Sequence, residues 1–384
     1  MHRLAGLFAG IGGFELGFAS AGHHPSLFCE IDPAAASVLK HRFPGVPLRR
    51  DIRDLKTLPK DVSVVCAGFP CQNLSSSGLK VGISGDQSSL VEHVFRLLAR
   101  RPVEWVILEN VPFMLSLQKG KAISIVVEGL ELLGYRWAYR VIDSQAFGLP
   151  HRRKRVYIVA SRRDDPRGVL LSRDNADFRP SPPGQEWSLS RPIGFYWTEG
   201  TYATGLAYDA LPPLKGGSTI GIPSPPAALF PDRVAAMPDL RDAERLQGFP
   251  ADWTIAAAKS GARSARWRLI GNAVTTLVAR WIGEGIARPR AYHADNDSQL
   301  LPPYSWPDAA WGEDGRRYAA DVSHFPVHRR RVGLSAFLRF PTLRLSKKAT
   351  LGFLSRASKG NLRYPVGFIQ ALERHAKSME SLRT

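Results

Sequence analysis

Two side chains that could take part in covalent chemistry follow predicted β-strands. Cys71 comes shortly after the apolar run Val62–Ala67, and Glu109 comes directly after the run Val103–Leu108. A cysteine thiolate attacks electrophilic carbon when a nearby cation lowers its pKa. An acid that ends an apolar strand is costly to bury unless it has a partner or a chemical task. The two positions predict a nucleophile and an acid at the carboxyl edge of one sheet.

The remaining cysteines have a different interpretation. The chain contains only Cys29, Cys66 and Cys71. Cys29 and Cys66 lie inside predicted strands, and we expect both to be small buried side chains. An odd and sparse set of this kind argues against a disulfide framework and indicates a reducing compartment.

Arginines and glycines accompany these candidates. Arg153 and Arg155 stand two residues apart at the start of another predicted strand, so alternation would place them on one face. Closely spaced glycines from Gly10 to Gly13 follow the first predicted strand, where a tight turn and a helix start offer N–H groups to a ligand. Glu30 lies twenty residues after Gly10, where an acid binds a ribose hydroxyl in a dinucleotide-type βαβ unit.

The elements that position these residues alternate along the first 160 residues. β-rich runs alternate with helix-compatible stretches such as Pro33–Arg42, Ser88–Arg100 and Ala122–Leu133. This order predicts an α/β fold with a mostly parallel sheet covered on both faces. The runs Trp137–Ile142 and Arg155–Ala160 have no helix between them, and we expect them to pair antiparallel at the sheet edge.

The charge of the chain indicates a polyanionic partner. The formal net charge is +18, and residues 325–384 supply thirteen Lys plus Arg against two acids, which is +11 of that total. Nucleic acid is the first candidate, and an anionic membrane surface is the second. No run of about eighteen apolar residues is present, so we expect no membrane span.

In order, spacing and flanks, these motifs resemble those of the C5-specific DNA-cytosine methyltransferase family. The matching blocks are Phe8–Phe14, Glu30, Asp51-Ile52, Pro70-Cys71-Gln72, Glu109-Asn110-Val111, Arg153 with Arg155, Arg241–Pro250 and Gly271–Val274. One departure is His151, where the family usually has glutamine. The recognition region is also short for the family, with roughly residues 162–206 left to read bases.

The resemblance implies a Rossmann-like S-adenosylmethionine-dependent methyltransferase sheet with DNA (cytosine-5-)-methyltransferase activity on double-stranded DNA. It implies Cys71, Glu109, Arg153 and Arg155 as catalytic residues. The cytosine would be flipped out of the duplex, Cys71 would attack C6, and residues 75–89 would close over the base. Glu109 would face ring N3, Arg155 would face O2, and Arg153 would contact phosphate or the thiolate.

The resemblance also assigns the cofactor site. S-adenosylmethionine, which leaves as S-adenosylhomocysteine, would be bound by Phe8, Ala9, Gly10, Ile11, Gly12, Gly13, Glu30, Ile31, Asp51, Ile52, Pro70, Leu90, Asn272 and Val274. No metal is expected, because the cysteines and histidines show no ligand spacing.

The expected domain organisation has three parts. Residues 1–161 plus 268–288 would form the catalytic cofactor-binding domain, and residues 162–267 a small loop-rich target-recognition domain. Residues 289–384 form a basic C-terminal extension, for which a DNA phosphate clamp and a solvated basic tail are equally good interpretations. If it is a clamp, deletion of residues 325–384 weakens DNA binding and flattens its salt dependence.

Several functions remain open beside DNA methylation for restriction-modification or phage-defence self-marking. A tRNA cytosine-5 methyltransferase would use the same chemistry, although that group carries a further cysteine in its recognition region and none follows Cys71 here. A partner-dependent subunit working with cognate restriction or defence proteins is a second alternative. A catalytically inactive DNA-binding scaffold would predict loss of Cys71, Glu109 or an arginine, and all are present. We expect a monomer in the bacterial cytoplasm, associated with the nucleoid.

Overall fold

The computed structural model describes residues 1–69, 90–175, 187–215, 225–260 and 263–381. The strands are β1 Arg3–Leu7, β2 His24–Cys29, β3 Leu48–Arg49, β4 Val64–Gly68, β5 Trp105–Asn110, β6 Arg136–Asp143, β7 Lys154–Ser161, β8 Ile193–Phe195, β9 Ala207–Tyr208, β10 Ala227–Leu229, β11 Ala235–Met237, β12 Ser298–Gln299, β13 Ala309–Glu313, β14 Arg316–Ala319 and β15 Leu343–Arg344. The α-helices are α1 Gly13–Ala19, α2 Pro33–Arg42, α3 Leu90–Arg100, α4 Lys121–Leu132, α5 Arg167–Leu170, α6 Leu240–Leu246, α7 Arg263–Asn272, α8 Thr276–Ala287, α9 Leu334–Phe337, α10 Lys347–Ala357 and α11 Phe368–Ser381.

The chain divides into two compact units. The first, the large-sheet unit, comprises Met1–Ala146, Lys154–Ala176 and Val274–His328. The second, the small-sheet unit, comprises Phe147–Arg153, Asp177–Ala273 and Arg329–Thr384. The C-terminal extension thus does not form a unit of its own, because its two halves belong to different units. Which part binds cofactor and which binds DNA stays a prediction.

The large-sheet unit contains a sheet whose described strands run in the order β12-β14-β13-β6-β7-β5-β4-β1-β2-β3. Strands β3, β2, β1, β4 and β5 are parallel, whereas β7 pairs antiparallel with both β5 and β6. All six residues of β5 are buried, as an apolar run covered on both faces requires. The predicted α/β class with a mostly parallel first part is confirmed.

One sequence expectation about this sheet is wrong in part. Strands β6 and β7 are antiparallel, as predicted, but they do not form the sheet edge. β7 lies between β5 and β6, and β13 pairs with the outer side of β6. The pairing is close because Gly312 has no side chain: a Cβ there would lie 2.4 Å from the ring of Trp137. The first half of the extension therefore covers the edge of the sheet.

The small-sheet unit contains a sheet of short strands in the order β15-β11-β10-β8-β9, so this region is more regular than the predicted loop-rich domain. Strand β15 comes from the C-terminal extension and pairs with β11. An aromatic cluster joins the sheet to the last helices: the rings of Phe353 and Phe368 lie 5.0 and 5.4 Å from that of Phe195. The second half of the extension is therefore part of the hydrophobic core of this unit.

Two of the three cysteines lie in strands of the large sheet. Cys29 and Cys66 are buried in β2 and β4, as predicted, and burial raises the pKa of Cys29 to about 12. Among the helices of the described ranges, none is long and apolar enough to cross a bilayer.

Candidate active site

The carboxyl end of β5 holds an acid and a guanidinium together. Glu109 is 7% exposed, and its Oε1 lies 3.1 Å from Nε of Arg155 on the neighbouring strand β7. Gly68, which is opposite Glu109 in register, leaves room for this carboxylate, because a Cβ on Gly68 would lie 3.3 Å from Glu109 Oε2. Two of the predicted site residues are thus brought into contact at the strand ends.

Asn110 connects this pair to the segment that follows β4. Its side-chain amide donates to the carbonyl of Phe69 at 3.0 Å, and its Oδ1 accepts from the N–H of Val111 at 2.8 Å. Phe69 is the last described residue before Pro70 and Cys71, both of which lie outside the described residues, as does the predicted closing loop 75–89. Sequence reasoning named the Glu-Asn-Val triplet but did not count Asn110 among the site residues.

Arg153 has different contacts from those predicted for it. The side chain is 1% exposed, and its two terminal nitrogens donate to the carbonyls of Gly271 (3.0 Å) and Ala273 (2.8 Å). Gln247 also donates to this turn, at the carbonyl of Ile270 (2.9 Å). These contacts fix the turn that carries Asn272, whose side chain is exposed. The hydrogen bonds of Arg153 indicate that it positions this turn. A contact of Arg153 with phosphate or thiolate stays a prediction.

The glycine motif forms a strained, partly open turn between β1 and α1. Phe8, Gly10 and Gly12 all have positive φ, at 54°, 57° and 84°. Phe8, Ala9 and Gly10 are partly exposed, and a Cβ on Gly10 would meet no atom within 4 Å. Ile11, by contrast, is buried. The turn therefore leaves open space beside backbone N–H groups, as a bound nucleoside cofactor requires.

Glu30 lies directly against this turn. Its Oε2 accepts from the N–H of Gly10 at 2.7 Å, and its Oε1 accepts from the N–H of Asp32 at 2.8 Å. Burial raises the pKa of Glu30, against the effect of these two hydrogen bonds. Each carboxylate oxygen has a further lone pair, so Glu30 fits the predicted contact with ribose hydroxyls.

The glycine motif also contacts the residues that follow the turn at Gly271–Ala273. A Cβ on Gly13 would lie 2.6 Å from the carbonyl oxygen of Val274, and one on Gly17 would lie 2.5 Å from Ala279 in α8. Only glycine permits this approach, so Val274 is held at the start of α1, close to the predicted cofactor site.

The remaining predicted cofactor residues follow β2, β3 and residues 70–89. Ile31 is 61% exposed after Glu30, and Leu90 is the first residue of α3. Asp51 accepts from Nε of Arg53 at 3.0 Å, and this hydrogen bond lowers the pKa of Asp51. Ile52 is buried and follows it. Asp51 keeps acceptor capacity for an adenine amine beside that pair.

His151, the departure from the family pattern, is fully buried. Its Nδ1 lies 3.0 Å from the carbonyl oxygen of Leu246, and its Nε2 accepts from the N–H of Leu214 at 3.2 Å. A carbonyl only accepts and an amide N–H only donates, so the ring is neutral with its proton on Nδ1.

No group of three or more His, Cys, Asp or Glu that could hold a metal ion occurs among the described residues.

Known proteins resemble the chain over these same regions. A family model described as C-5 cytosine-specific DNA methylase matches residues 2–186 and 239–288. The Type II methyltransferase M2.BsuMI of Bacillus subtilis is 44% identical over 384 residues, which cover 97% of each chain. The Type II methyltransferase M.NlaX of Neisseria lactamica is 28% identical, over 74% of this chain and 96% of its own.

Solved structures support the fold. A DNMT2 of Spodoptera frugiperda superposes with a TM-score of 0.52 at 16% identity, over 75% of this chain and 99% of its own. The Dnmt2 methyltransferase of S. pombe gives a TM-score of 0.51 over 73% of this chain and 97% of its own. The family model omits residues 187–238 and ends at residue 288, whereas the similarity to M2.BsuMI covers nearly the whole chain. The chain belongs to the C-5 cytosine-specific DNA methylase family.

Proposed function

We propose that the protein methylates carbon 5 of a cytosine in double-stranded DNA, with Cys71 as nucleophile and Glu109 and Arg155 as the groups that bind the ring. The observation that carries this assignment is the contact between Glu109 and Arg155 at the carboxyl end of β5. Cytosine presents N3 and O2 side by side, and an acid beside a guanidinium matches that edge. Asn110 supports the assignment, because it holds the residue two positions before Cys71.

The chemistry begins with activation of the ring. Carbon 5 of cytosine is a weak nucleophile, so the Cys71 thiolate adds to C6 and forms an Sγ–C6 bond, which moves an electron pair toward C5. Glu109, protonated or sharing a proton with N3, stabilises the negative charge that the ring acquires. Arg155 donates to O2 and so stabilises the same charge.

The reaction is completed by methyl transfer and elimination. When bound, S-adenosylmethionine supplies an electrophilic methyl group. Gly10, Glu30 and Asp51 provide the site for its nucleoside. A base or water then removes the C5 proton, the electron pair re-forms the C5–C6 double bond, and Cys71 leaves as thiolate. Because C6 is shielded within a stacked duplex, the base must first be flipped out, at a cost of a few kcal/mol.

The biological role that fits best is modification within a restriction or defence system. M2.BsuMI and M.NlaX are named as Type II methyltransferases, and we infer the same role here. We infer action as a monomer in the cytoplasm, on nucleoid DNA. A tRNA substrate is less well supported, because no cysteine follows Cys71 in the recognition region.

The test is incubation of the purified chain with duplex DNA and methyl-labelled S-adenosylmethionine, followed by detection of 5-methylcytosine. Cys71→Ser should abolish product, and Cys29→Ser, which changes a buried cysteine, serves as the control. A Cys71→Ser variant as active as the wild type would exclude the mechanism. Labelling of tRNA with no labelling of duplex DNA would exclude the substrate.

A further inference from the structure

The loop between β8 and β9, residues 196–206, presents an almost fully exposed aromatic side chain. Tyr202 is 93% exposed, so its side chain contributes little to packing within the described chain. The loop bends at Gly200 and Gly205, which have φ of 146° and 62°. Its backbone is also bonded internally, since the N–H of Tyr196 donates to the carbonyl of Thr204 at 2.8 Å.

Helix α10, in the C-terminal extension, binds this loop through one arginine. Arg356 donates from Nη2 to the carbonyl of Trp197 at 2.7 Å and from Nε to that of Glu199 at 3.2 Å. A Cβ on Gly200 would lie 3.2 Å from the backbone nitrogen of Ala357. The bidentate guanidinium fixes two carbonyls of one loop, so the conformation of this loop depends on the C-terminal extension.

The segment after α10 makes two more contacts with the same loop. A Cβ on Gly360 would lie 2.4 Å from the carbonyl oxygen of Thr201, and Tyr364 Oη donates to the carbonyl of Gly200 at 3.5 Å. Five contacts therefore hold residues 197–201, directly before Tyr202. An exposed side chain on so well-supported a backbone is preorganised for binding, because little backbone entropy is lost when a partner is bound.

The charge of the segment after α10 indicates the chemical class of the partner. Lys359 and Arg363 are exposed, next to Gly360 and Tyr364, and within the described parts of the chain neither makes an ion pair with a carboxylate. The one acid of the loop, Glu199, is paired with Lys215. The surface around Tyr202 is therefore cationic, as a surface that contacts phosphates requires.

We propose that loop 196–206 reads duplex DNA, with Tyr202 contacting bases that flank the target cytosine and with Lys359 and Arg363 contacting phosphates. The inference rests on the proposed function, because it takes duplex DNA as the substrate. It gives the second half of the C-terminal extension two tasks: it supports the reading loop, and it supplies phosphate contacts beside that loop.

The first experiment uses the full-length chain, S-adenosylmethionine and a library of duplexes with randomised bases around cytosine, with 5-methylcytosine read by sequencing. Tyr202→Ala should lower kcat/KM on the preferred sequence roughly 5- to 150-fold, the range for loss of one base contact, and relax the preference at one or two flanking positions. Val366→Ala, which changes another exposed side chain of the small-sheet unit (77% exposed), should leave the preference unchanged.

The second experiment measures DNA affinity against salt concentration. The double variant Lys359→Ala, Arg363→Ala should weaken binding uniformly across sequences and reduce the slope of log K against log salt by about two. Arg356→Met should relax the same flanking positions as Tyr202→Ala while the salt slope stays near that of the wild type.

The outcomes separate this proposal from the proposed function. If the wild type methylates cytosine but Tyr202→Ala keeps the wild-type preference and kcat/KM, the reading role of the loop is wrong. An unchanged salt slope in the double variant excludes the phosphate contacts, and an unchanged preference in Arg356→Met excludes the supporting role. A wild type that methylates no cytosine, by contrast, contradicts the proposed function itself.

Discussion

The large-sheet unit and the small-sheet unit are assembled in different ways. Glu109 and Arg155 lie in strands of six and eight residues, and Glu30 directly follows a strand of six residues. All three strands lie before residue 162. The strands of the small sheet are two or three residues long and come from residues 193–237 and 343–344. Few ladder hydrogen bonds hold such a sheet, so side chains must supply its cohesion.

Buried carboxylates supply part of that cohesion. Asp242 in α6 accepts from the N–H groups of Arg339 (3.1 Å) and Phe340 (2.9 Å), and Asp209 accepts from that of Leu334 (2.9 Å). Each pair joins residues roughly a hundred positions apart in the chain. The proposed catalytic groups Glu109 and Arg155 therefore lie on a locally encoded sheet, whereas the proposed reading surface depends on long-range contacts with the C-terminal extension.

The largest expected effect concerns the strand-end site. Glu109→Gln should lower kcat about 10²- to 10⁴-fold, the usual contribution of a positioned acid or base, because an amide cannot share a proton with N3. Steady-state methylation of duplex DNA and urea unfolding are the two measurements. Glu284→Gln, which changes an acid of the same unit whose ion pair with Arg280 is solvent-exposed, should leave kcat unchanged and stability within about 1 kcal/mol. A Glu109→Gln enzyme within tenfold of the wild type would remove Glu109 from the reaction.

The next effect concerns the core of the small-sheet unit. Phe353 is fully buried against Phe195 and Phe368, and its replacement by alanine should lower the free energy of unfolding by about 3–5 kcal/mol. DNA affinity should fall with it, while binding of S-adenosylmethionine should persist. Leu351→Ala, on the same helix but 46% exposed, is the matched control. Equal losses from the two changes would contradict the assignment of α10 to the core.

This core also changes how the C-terminal extension can be tested. Deletion of residues 325–384 does not isolate a phosphate clamp, because it removes β15, α10 and α11 from the small-sheet unit. Weakened DNA binding after such a deletion would follow from unfolding alone. Substitutions at exposed cations such as Lys359 and Arg363 test the charge without removing the core.

The sequence predicted the large sheet well for a physical reason. Its strands and helices are long enough to show apolar periodicity, so α2 was predicted with both of its bounds and the contact partners Glu109 and Arg155 were both named. Strands of two residues, such as β15, carry no periodicity, and the pairing of β13 with β6 joins residues about 170 positions apart. Local patterns hold no information on such pairings, nor on the fact that Arg153 binds carbonyls.

A smaller effect is expected at Glu15, beneath the glycine motif. This carboxyl is fully buried, and burial raises its pKa to about 7, against a backbone hydrogen bond that lowers it and with Glu30 adding to the rise. Cys66 also interacts electrostatically with it. The folded protein therefore holds this proton more tightly than the unfolded chain between about pH 4.5 and 7.

Stability from this group is therefore full below about pH 4.5 and is lost as the pH rises through 7. Glu15→Gln should be more stable than the wild type by about 3 kcal/mol at pH 8, with the difference closing toward pH 5. Urea unfolding at pH 5, 6, 7 and 8 measures the difference. A gap that is constant with pH would mean that Glu15 keeps the same protonation state in the folded and unfolded chain.

The smallest effect is expected at His151, because a glutamine there could make the same two hydrogen bonds. A glutamine can donate its amide to the Leu246 carbonyl and accept from the Leu214 N–H, as the neutral imidazole does. His151→Gln should therefore change the free energy of unfolding at pH 8 by less than about 1 kcal/mol and leave the methylated sequence unchanged.

His151→Leu is the matched variant, because it has similar bulk and no polar atom. It leaves two buried backbone groups without this partner, at about 1–3 kcal/mol each. The contrast between Gln and Leu isolates the hydrogen bonds from the packing. If both variants lose the same stability, the shape of the ring holds the small-sheet unit at this position, and the two hydrogen bonds contribute little.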